Sequence, residues 1–180
     1  MSRKPATGSA SKNDRDPVVS SAHLAAGAMP ALSEYEFGLI LASSAFSRWI
    51  VRCMAAAGAP GMSPLDVLVL HAVNHRGRQK TLADLCLVLN IEDTHTVSYA
   101  LKKLEREGLI ETGRQGKEKT AAISKEGAEL CVRYGEVRED LLVRTVKSLS
   151  IDETDLSNLS ALLRGLSGTY DQASRAAAAS

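Results

Sequence analysis

The chain has 180 residues, 24% of them charged, and a formal net charge of +1. This length fits one domain with appendages and is sufficient to bury one core. No stretch approaches the roughly 20 apolar residues of a membrane-spanning helix, and the polar N-terminus lacks the apolar region of a secretory signal. The widely spaced Cys53, Cys86 and Cys131 suggest neither a disulfide framework nor a zinc motif. We therefore expect a soluble protein of the reducing cytoplasm.

The charge is unevenly distributed along the chain. Residues 76–125 carry ten Lys/Arg against seven Asp/Glu, a balance of +3, whereas residues 126–180 carry six against nine, a balance of −3. A small basic excess in the middle of the chain indicates where a polyanion would be attracted.

Residues 1–32 are rich in Ala, Ser, Gly and Pro, and we expect them to form a disordered tail. Ser33 and Glu36 have the spacing of a capping box and predict a helix over residues 33–60. Two further boxes predict the next helices. Ser63 precedes Pro64 and Asp66, Thr81 precedes Asp84, and apolar residues follow each at i, i+3, i+4 and i+7.

A fourth helix begins at Asp93 or Thr94 and ends near Glu107, where Gly108 can adopt the left-handed conformation. Two strand-like runs around the basic turn 113–117 then predict a β-hairpin.

Two further helices follow the hairpin. Ser124 caps a long helix, and Ser150 with Glu153 predicts the last one. The alanine-rich end over residues 171–180 is expected to fray.

The fourth helix has two chemically distinct faces. At about 100° per residue, Ala100, Leu101 and Leu104 fall within about 60° of Val97 and form the predicted buried stripe. The opposite face carries basic and hydrogen-bonding side chains, namely His95, Tyr99, Lys102, Lys103 and Arg106. Hydroxyl groups lie at the N-terminal end of this helix, where contacts with bases or phosphates are usual.

Helix, turn, helix, glycine and β-hairpin in this order predict a winged helix-turn-helix, whose second helix lies in the major groove of DNA. The fold class is therefore mainly α with a small β-hairpin wing, flanked by dimerisation helices. Lys and Arg can neutralise phosphates or pair with guanine. The predicted DNA contacts are Thr94, His95, Thr96, Ser98, Tyr99, Lys102, Lys103 and Arg106 on the helix, and Arg114, Lys117 and Lys119 in the wing.

Several segments resemble the MarR (multiple antibiotic resistance regulator) family. They are Ser63–Leu70 (SPLDVLVL), Thr81–Leu85 (TLADL) and Thr96–Ile110 (TVSYALKKLEREGLI), with Ile123–Gly127 standing where that family usually has Leu-Thr-x-x-Gly. The resemblance covers about residues 33–170. It implies a homodimer, an inverted-repeat operator and repression that a small effector relieves. The family's wing usually carries Asp-x-Arg, whereas residues 113–119 are shorter and lack the Asp, so Arg114 is the nearest candidate for that Arg.

The flanking helices are too long and apolar to serve one small winged domain, and burial against a second chain explains them. We therefore assign 33–60 and 125–170 to dimerisation and 62–124 to DNA binding. Two successive major grooves would then receive the two recognition helices of the dimer.

The chain lacks a G-x-S-x-G motif, a P-loop and a dinucleotide fingerprint, so we expect no enzyme and no cofactor. A protein-interaction module without sequence-specific DNA binding is the alternative function. Two sensing hypotheses also stay open. His71 and His75 have an i, i+4 spacing that can bind a metal, but no Cys or carboxylate lies at a convincing ligand spacing, and core packing of His71 with a helix-end position for His75 is the favoured explanation. Cys53 lies beside Arg52 and is the candidate redox-active thiolate.

Overall fold

The computed structural model describes residues 16–116 and 118–180, so residues 1–15 of the predicted N-terminal tail lie outside the described residues. The chain divides into two units, residues 1–49 and residues 50–180. The first unit contains helix α1 (Ala22–Ala25) and most of helix α2 (Pro30–Ala56), which continues into the second unit.

Helix α2 begins three residues earlier than the capping box at Ser33 predicted. Its first residue is Pro30, whose fixed φ suits the first helical turn. Ser33 is instead buried inside the helix, and its hydroxyl donates to the carbonyl oxygen of Leu24 at 2.9 Å. The predicted capping role of Ser33 is therefore wrong, because its side chain joins α1 to α2.

By length and composition, α2 is apolar enough to cross a membrane. The sequence-based expectation that no segment reaches this length and hydropathy is therefore wrong. Exposed apolar side chains occur along the helix, including Ile40, Leu41 and Phe46, which are 53%, 56% and 53% exposed. Exposed apolar surface of this kind is typical of a site that contacts a protein or a membrane.

The second unit is built from helices and a small antiparallel sheet. Its helices are α3 (Pro64–Asn74), α4 (Leu82–Leu89), α5 (Thr94–Arg106), α6 (Lys125–Arg138), α7 (Arg144–Ser148) and α8 (Glu153–Ala178). Its strands are β1 (Lys80–Thr81), β2 (Ile110–Gln115) and β3 (Glu118–Ile123). The predicted fold class, mainly α with a hairpin wing, is confirmed.

The predicted caps of α3 and α4 are both present as capping boxes. The Ser63 hydroxyl accepts from the Asp66 amide while the Asp66 carboxylate accepts from the Ser63 amide, and Thr81 and Asp84 repeat this exchange. Asn90 ends α4 in the left-handed conformation with φ 52°. Each box satisfies amide donors that the helix itself leaves unpaired.

The sheet has the strand order β1-β3-β2, and β1 was not predicted from the sequence. It pairs Lys80 with Ala121 and Thr81 with Thr120. The Lys80 side chain is buried, and its ammonium donates to the carbonyl oxygens of His75 at 2.6 Å and Arg78 at 3.0 Å. A two-residue strand has no detectable alternation, so only the tertiary structure reveals it.

The C-terminal helices differ from prediction at their ends. A π-helical segment, Glu139–Val143, joins α6 to α7. Helix α8 is capped by Asp152, which accepts from the Thr154 amide, while Ser150 has φ 55° and cannot serve as the predicted cap. The helix continues to Ala178, through the segment expected to fray, because alanine has the highest helix propensity.

Candidate nucleic-acid interface

Helix α5 is positioned by its N-cap and by a buried stripe. The Asp93 carboxylate accepts from the His95 amide at 2.9 Å, and the Thr96 hydroxyl donates to the Asp93 carbonyl at 2.7 Å. The helix ends at Glu107, and Gly108 follows with φ 72°. The predicted apolar stripe is fully buried and consists of Val97, Ala100, Leu101 and Leu104. One face of α5 is thereby committed to the core.

The opposite face carries a stripe of four exposed residues at i, i+4, i+7 and i+11, which we name the α5 stripe. Its members are His95, Tyr99, Lys102 and Arg106. Within residues 16–116 and 118–180 these side chains form no hydrogen bond or ion pair with one another or with other residues. Tyr99 is 71% exposed, so both its aromatic ring and its hydroxyl group are accessible to a ligand. The stripe is therefore an unpaired basic and aromatic surface.

The remaining predicted contacts at the start of α5 differ in exposure. Thr94 and Thr96 are exposed, whereas Ser98 is half-buried. The Thr96 hydroxyl is already engaged with the Asp93 carbonyl, which leaves its oxygen free only as an acceptor.

Lys103 does not belong to the exposed stripe, although the helical projection predicted that it would. Its ammonium donates to Asp66 Oδ2 at 2.7 Å and to the Gly61 carbonyl oxygen at 2.8 Å. Burial acts to raise the pKa of Asp66, but the hydrogen bonds from Lys103 and Ser63 outweigh burial and hold the pKa below its usual value. Sequence reasoning assigned Asp66 only to a cap, because residues 37 positions apart give no local signal of pairing.

A second acid on α5 connects this helix to the wing, defined here as β2, β3 and their turn. Glu105 accepts a hydrogen bond from the Thr112 hydroxyl through Oε1, and its Oε2 lies 3.8 Å from Lys119 Nζ. Both members of the ion pair are more than 40% exposed, which limits its contribution to stability to about 0–1 kcal/mol. Lys119 is therefore the wing cation that has an acidic side chain close to it among the described residues.

The wing carries two cations directly opposite each other. Arg114 pairs with Lys119 across β2 and β3, and both are exposed. Like charges directly opposite in a sheet are destabilising, and the Glu105 carboxylate beside Lys119 partly offsets this repulsion. Gly116 turns the hairpin with φ 63°, and the predicted contact Lys117 lies outside the described residues.

A groove of about 580 Å³ runs along one side of α5, beside the start of α3. Its lining includes Ser63, Asp66, His95, Tyr99 and Arg106. The Lys103–Asp66 pair therefore lies at the edge of the same surface that presents the α5 stripe.

The cysteine chosen from the sequence as a reactive thiolate lies in the core. Cys53 is 1% exposed, and its thiol donates to the Tyr134 carbonyl at 3.6 Å. Burial raises its pKa, and burial also raises the pKa of Cys131 to about 11. Burial therefore disfavours the thiolate at both cysteines, and the structure does not support Cys53 as the redox-active thiolate that the sequence suggested.

The histidine pair chosen as a candidate metal site also has a different setting. The His71 ring stacks edge-on against Tyr134 with a centroid distance of 4.5 Å, whereas His75 is exposed. No group of three or more His, Cys, Asp or Glu side chains is arranged to hold a metal ion in the part of the chain that the structure describes. The packing interpretation of His71 agrees with this geometry.

The buried histidine leads to a prediction for stability at acid pH. Burial lowers the pKa of His71, and its Nε2 atom has no hydrogen-bond partner among the described residues. Because the unfolded chain then binds more protons, we expect the free energy of unfolding to fall as pH drops below about 6.5. The decline continues towards the folded-state pKa. Urea unfolding over a pH series measures this slope.

Two histidine variants test the assignment of that slope. His71→Leu should flatten the decline just below about pH 6.5, whereas His75→Leu, at the exposed position one turn further along, should leave it steep. A decline that is as steep in His71→Leu as in the unmodified protein would assign the pH dependence to other groups.

The sequence of residues 62–127 matches a family model for a winged helix DNA-binding domain. These residues comprise α3, β1, α4, α5, the wing and the start of α6. Residues 62–127 therefore match a winged helix domain both in sequence and in the order of their elements. No curated protein matches the chain.

Solved structures share the fold of the winged helix domain together with its flanking helices. A MarR family transcriptional regulator from Rhodococcus sp. RHA1 has a TM-score of 0.62 and 14% identity, covering 74% of this chain and 91% of its own. A MarR family regulator from Neisseria meningitidis has a TM-score of 0.62 and 16% identity. The match covers 79% of this chain and 95% of the regulator. An organohalide-sensing transcriptional regulator, solved in its ligand-free form, has a TM-score of 0.62 and 17% sequence identity. The match covers 89% of this chain and 89% of the regulator.

At these identities the likeness establishes the fold. The chain shares its fold with these MarR family regulators.

Proposed function

We propose that this chain is a homodimeric transcription repressor of the MarR type that binds an inverted-repeat operator in double-stranded DNA. The observation that carries the proposal is the α5 stripe, whose side chains are exposed and have no partner among residues 16–116 and 118–180. The repressor role itself is taken from the resemblance to the regulator family.

The α5 stripe has the chemistry that the major groove requires. Lys102 and Arg106 are exposed cations one turn apart, and each can neutralise a phosphate or pair with guanine N7 and O6. Tyr99 and His95 can donate and accept hydrogen bonds at base edges. Because the opposite face of α5 is buried, the face that the helix presents to a groove is the one that carries this stripe.

The wing supplies the second contact of this proposal. Arg114 and Lys119 are exposed cations on the same side of the hairpin, where both can contact a backbone phosphate or a minor groove. The predicted wing contacts also include Lys117, which lies outside the described residues.

The dimer explains the exposed apolar surface of the flanking helices. Leu39, Ile40, Leu41 and Phe46 on α2, and Leu156, Leu159 and Leu162 on α8, are each at least 39% exposed. A second copy of the chain would bury these side chains without a membrane, and a two-fold dimer presents two recognition helices to an inverted repeat. Sedimentation velocity without detergent should give a dimer. A chain that stays soluble only in detergent would favour a membrane role for α2.

A small effector forms a further part of the proposal. The organohalide-sensing regulator has also been solved with 2,4-dichlorophenol bound, at 17% identity to this chain. By analogy, a small molecule modulates DNA binding here, and the protein acts in the cytoplasm, where its DNA is accessible. Chlorinated phenols are the first probes to test for release of bound DNA.

Selection of bound sites from a random duplex library tests the central claim. An enriched inverted repeat, with half-sites about one helical turn apart, is expected from a dimeric winged helix protein. Fluorescence anisotropy on the selected duplex should then show affinity that falls linearly in log salt. Absence of enrichment, with binding that salt abolishes, would favour a protein-interaction module in place of an operator-binding protein.

A further inference from the structure

Two adjacent lysines of α5 differ in exposure and in ion pairing. Lys102 is exposed and unpaired within residues 16–116 and 118–180, whereas the adjacent Lys103 is engaged with Asp66 and with the Gly61 carbonyl. The side chains of Lys103 and Asp66 are only 19% and 5% exposed. Two lysines adjacent in sequence therefore have different environments on one helix.

The partner of Lys103 is itself built into the start of α3. Asp66 Oδ2 accepts both from Lys103 Nζ at 2.7 Å and from the Ser63 amide at 2.7 Å. The Gly61 carbonyl, which accepts from Lys103 at 2.8 Å, lies in the loop before α3. One ammonium group thus connects α5 to both the loop and the first turn of α3.

We propose that Lys103 is a positioning residue, which fixes the angle of the recognition helix by joining it to residues 61–66, and that it does not contact DNA. The proposal rests on the DNA-binding function assigned above for its consequence, but the contact itself is independent of DNA. To reach a phosphate, the ammonium would have to leave a largely buried carboxylate without its counter-charge. Exposed cations such as Lys102 can reach DNA without that penalty.

The placement of the helix matters because direct readout requires side chains to meet base edges in register. A rotation of α5 would displace Tyr99 and Arg106 together, since both are carried by the same rigid helix. Removal of the Lys103 ammonium should therefore weaken binding to the preferred sequence more than binding to arbitrary DNA.

Methionine variants of the two adjacent lysines provide the test on DNA, with the selected inverted repeat and a random duplex as probes. Lys102→Met should reduce the salt slope by about 0.9 for each phosphate that is no longer neutralised, and it should weaken both probes alike. Lys103→Met should leave the salt slope unchanged. It should lower the affinity for the inverted repeat by about tenfold and leave the affinity for the random duplex unchanged. A salt slope that falls in Lys103→Met as it does in Lys102→Met would overturn the proposal.

A second experiment does not involve DNA. It can therefore distinguish failure of the proposed DNA-binding function from failure of the positioning role of Lys103. Hydrogen exchange of the amides over residues 94–106 should become about tenfold faster in Lys103→Met and remain unchanged in Lys102→Met. Lys103→Arg, which retains the charge, should restore protection and sequence preference together. Exchange that is unaltered in Lys103→Met would show that the side chain does not hold the helix, whatever the DNA result.

A double-mutant cycle separates positioning from general stability. Asp66→Asn removes the negative charge but keeps an acceptor for the Ser63 amide. The combined variant Lys103→Met/Asp66→Asn should lose less free energy of unfolding than the sum of the two single variants, because it leaves no buried charge without a partner. Strictly additive effects on unfolding would refute a direct coupling of Lys103 to Asp66.

Discussion

Gly127→Ala is expected to lower the free energy of unfolding by about 3 kcal/mol or more, which is at the upper end for overpacking. Gly127 lies in the first turn of α6, and a Cβ there would sit 2.0 Å from the Leu109 carbonyl oxygen and 2.8 Å from Ile123 Cδ1. The obstructing atom is backbone, so no side-chain rotation removes the clash. Chemical denaturation at neutral pH measures the destabilisation.

A glycine on the same helix serves as the control for Gly127→Ala. A Cβ at Gly135 would meet open space within 4 Å, and Gly135→Ala should stabilise the protein by about 0.5–1 kcal/mol through helix propensity. If both variants were equally stable, the close approach of α6 to the segment between α5 and the wing would be incorrect.

The other large effect is expected on DNA binding. The double variant Lys102→Ala/Arg106→Ala should weaken binding to the selected repeat by about a hundredfold, because a lost base contact costs about 1–3 kcal/mol and a lost phosphate contact adds to it. The salt slope should fall by about 0.9 for each phosphate that is no longer neutralised. Anisotropy titrations across a salt series, on the selected repeat and on a random duplex, give both quantities.

An equal change of charge away from the winged helix domain controls for net charge. Lys147 lies on α7 and Arg175 near the end of α8, and both are exposed. Lys147→Ala/Arg175→Ala should keep the salt slope of the unmodified protein. A slope that falls equally in both double variants would mean that the α5 stripe is not the DNA-binding face.

The order of the elements and most of their boundaries follow from local patterns in the sequence. Capping boxes at Ser63 and Thr81 are local signals, because the two groups that bond are three residues apart. The buried stripe of α5 is equally local, since helical periodicity alone assigns Val97 and Leu104 to one face. Such patterns need no knowledge of the rest of the chain.

The ends of several elements depend on context. Ser33 and Ser150 both have the spacing of a capping box, yet one lies inside α2 and the other has a left-handed backbone. A suitable side chain at the correct spacing caps a helix only where the chain actually enters the helix. Strand β1 is likewise defined only by its pairing with Ala121 and Thr120.

The assignment of charges to function depends on contacts between distant parts of the chain. A helical projection gives Lys102 and Lys103 the same exposed status, but the folded chain pairs Lys103 with a carboxylate 37 residues away. Lys119 similarly forms an ion pair with Glu105. Periodicity in the sequence is enough to identify the polar face of α5. Which cations on that face stay free is settled by packing against residues 61–66 and the wing, because ion pairing depends on distance in space.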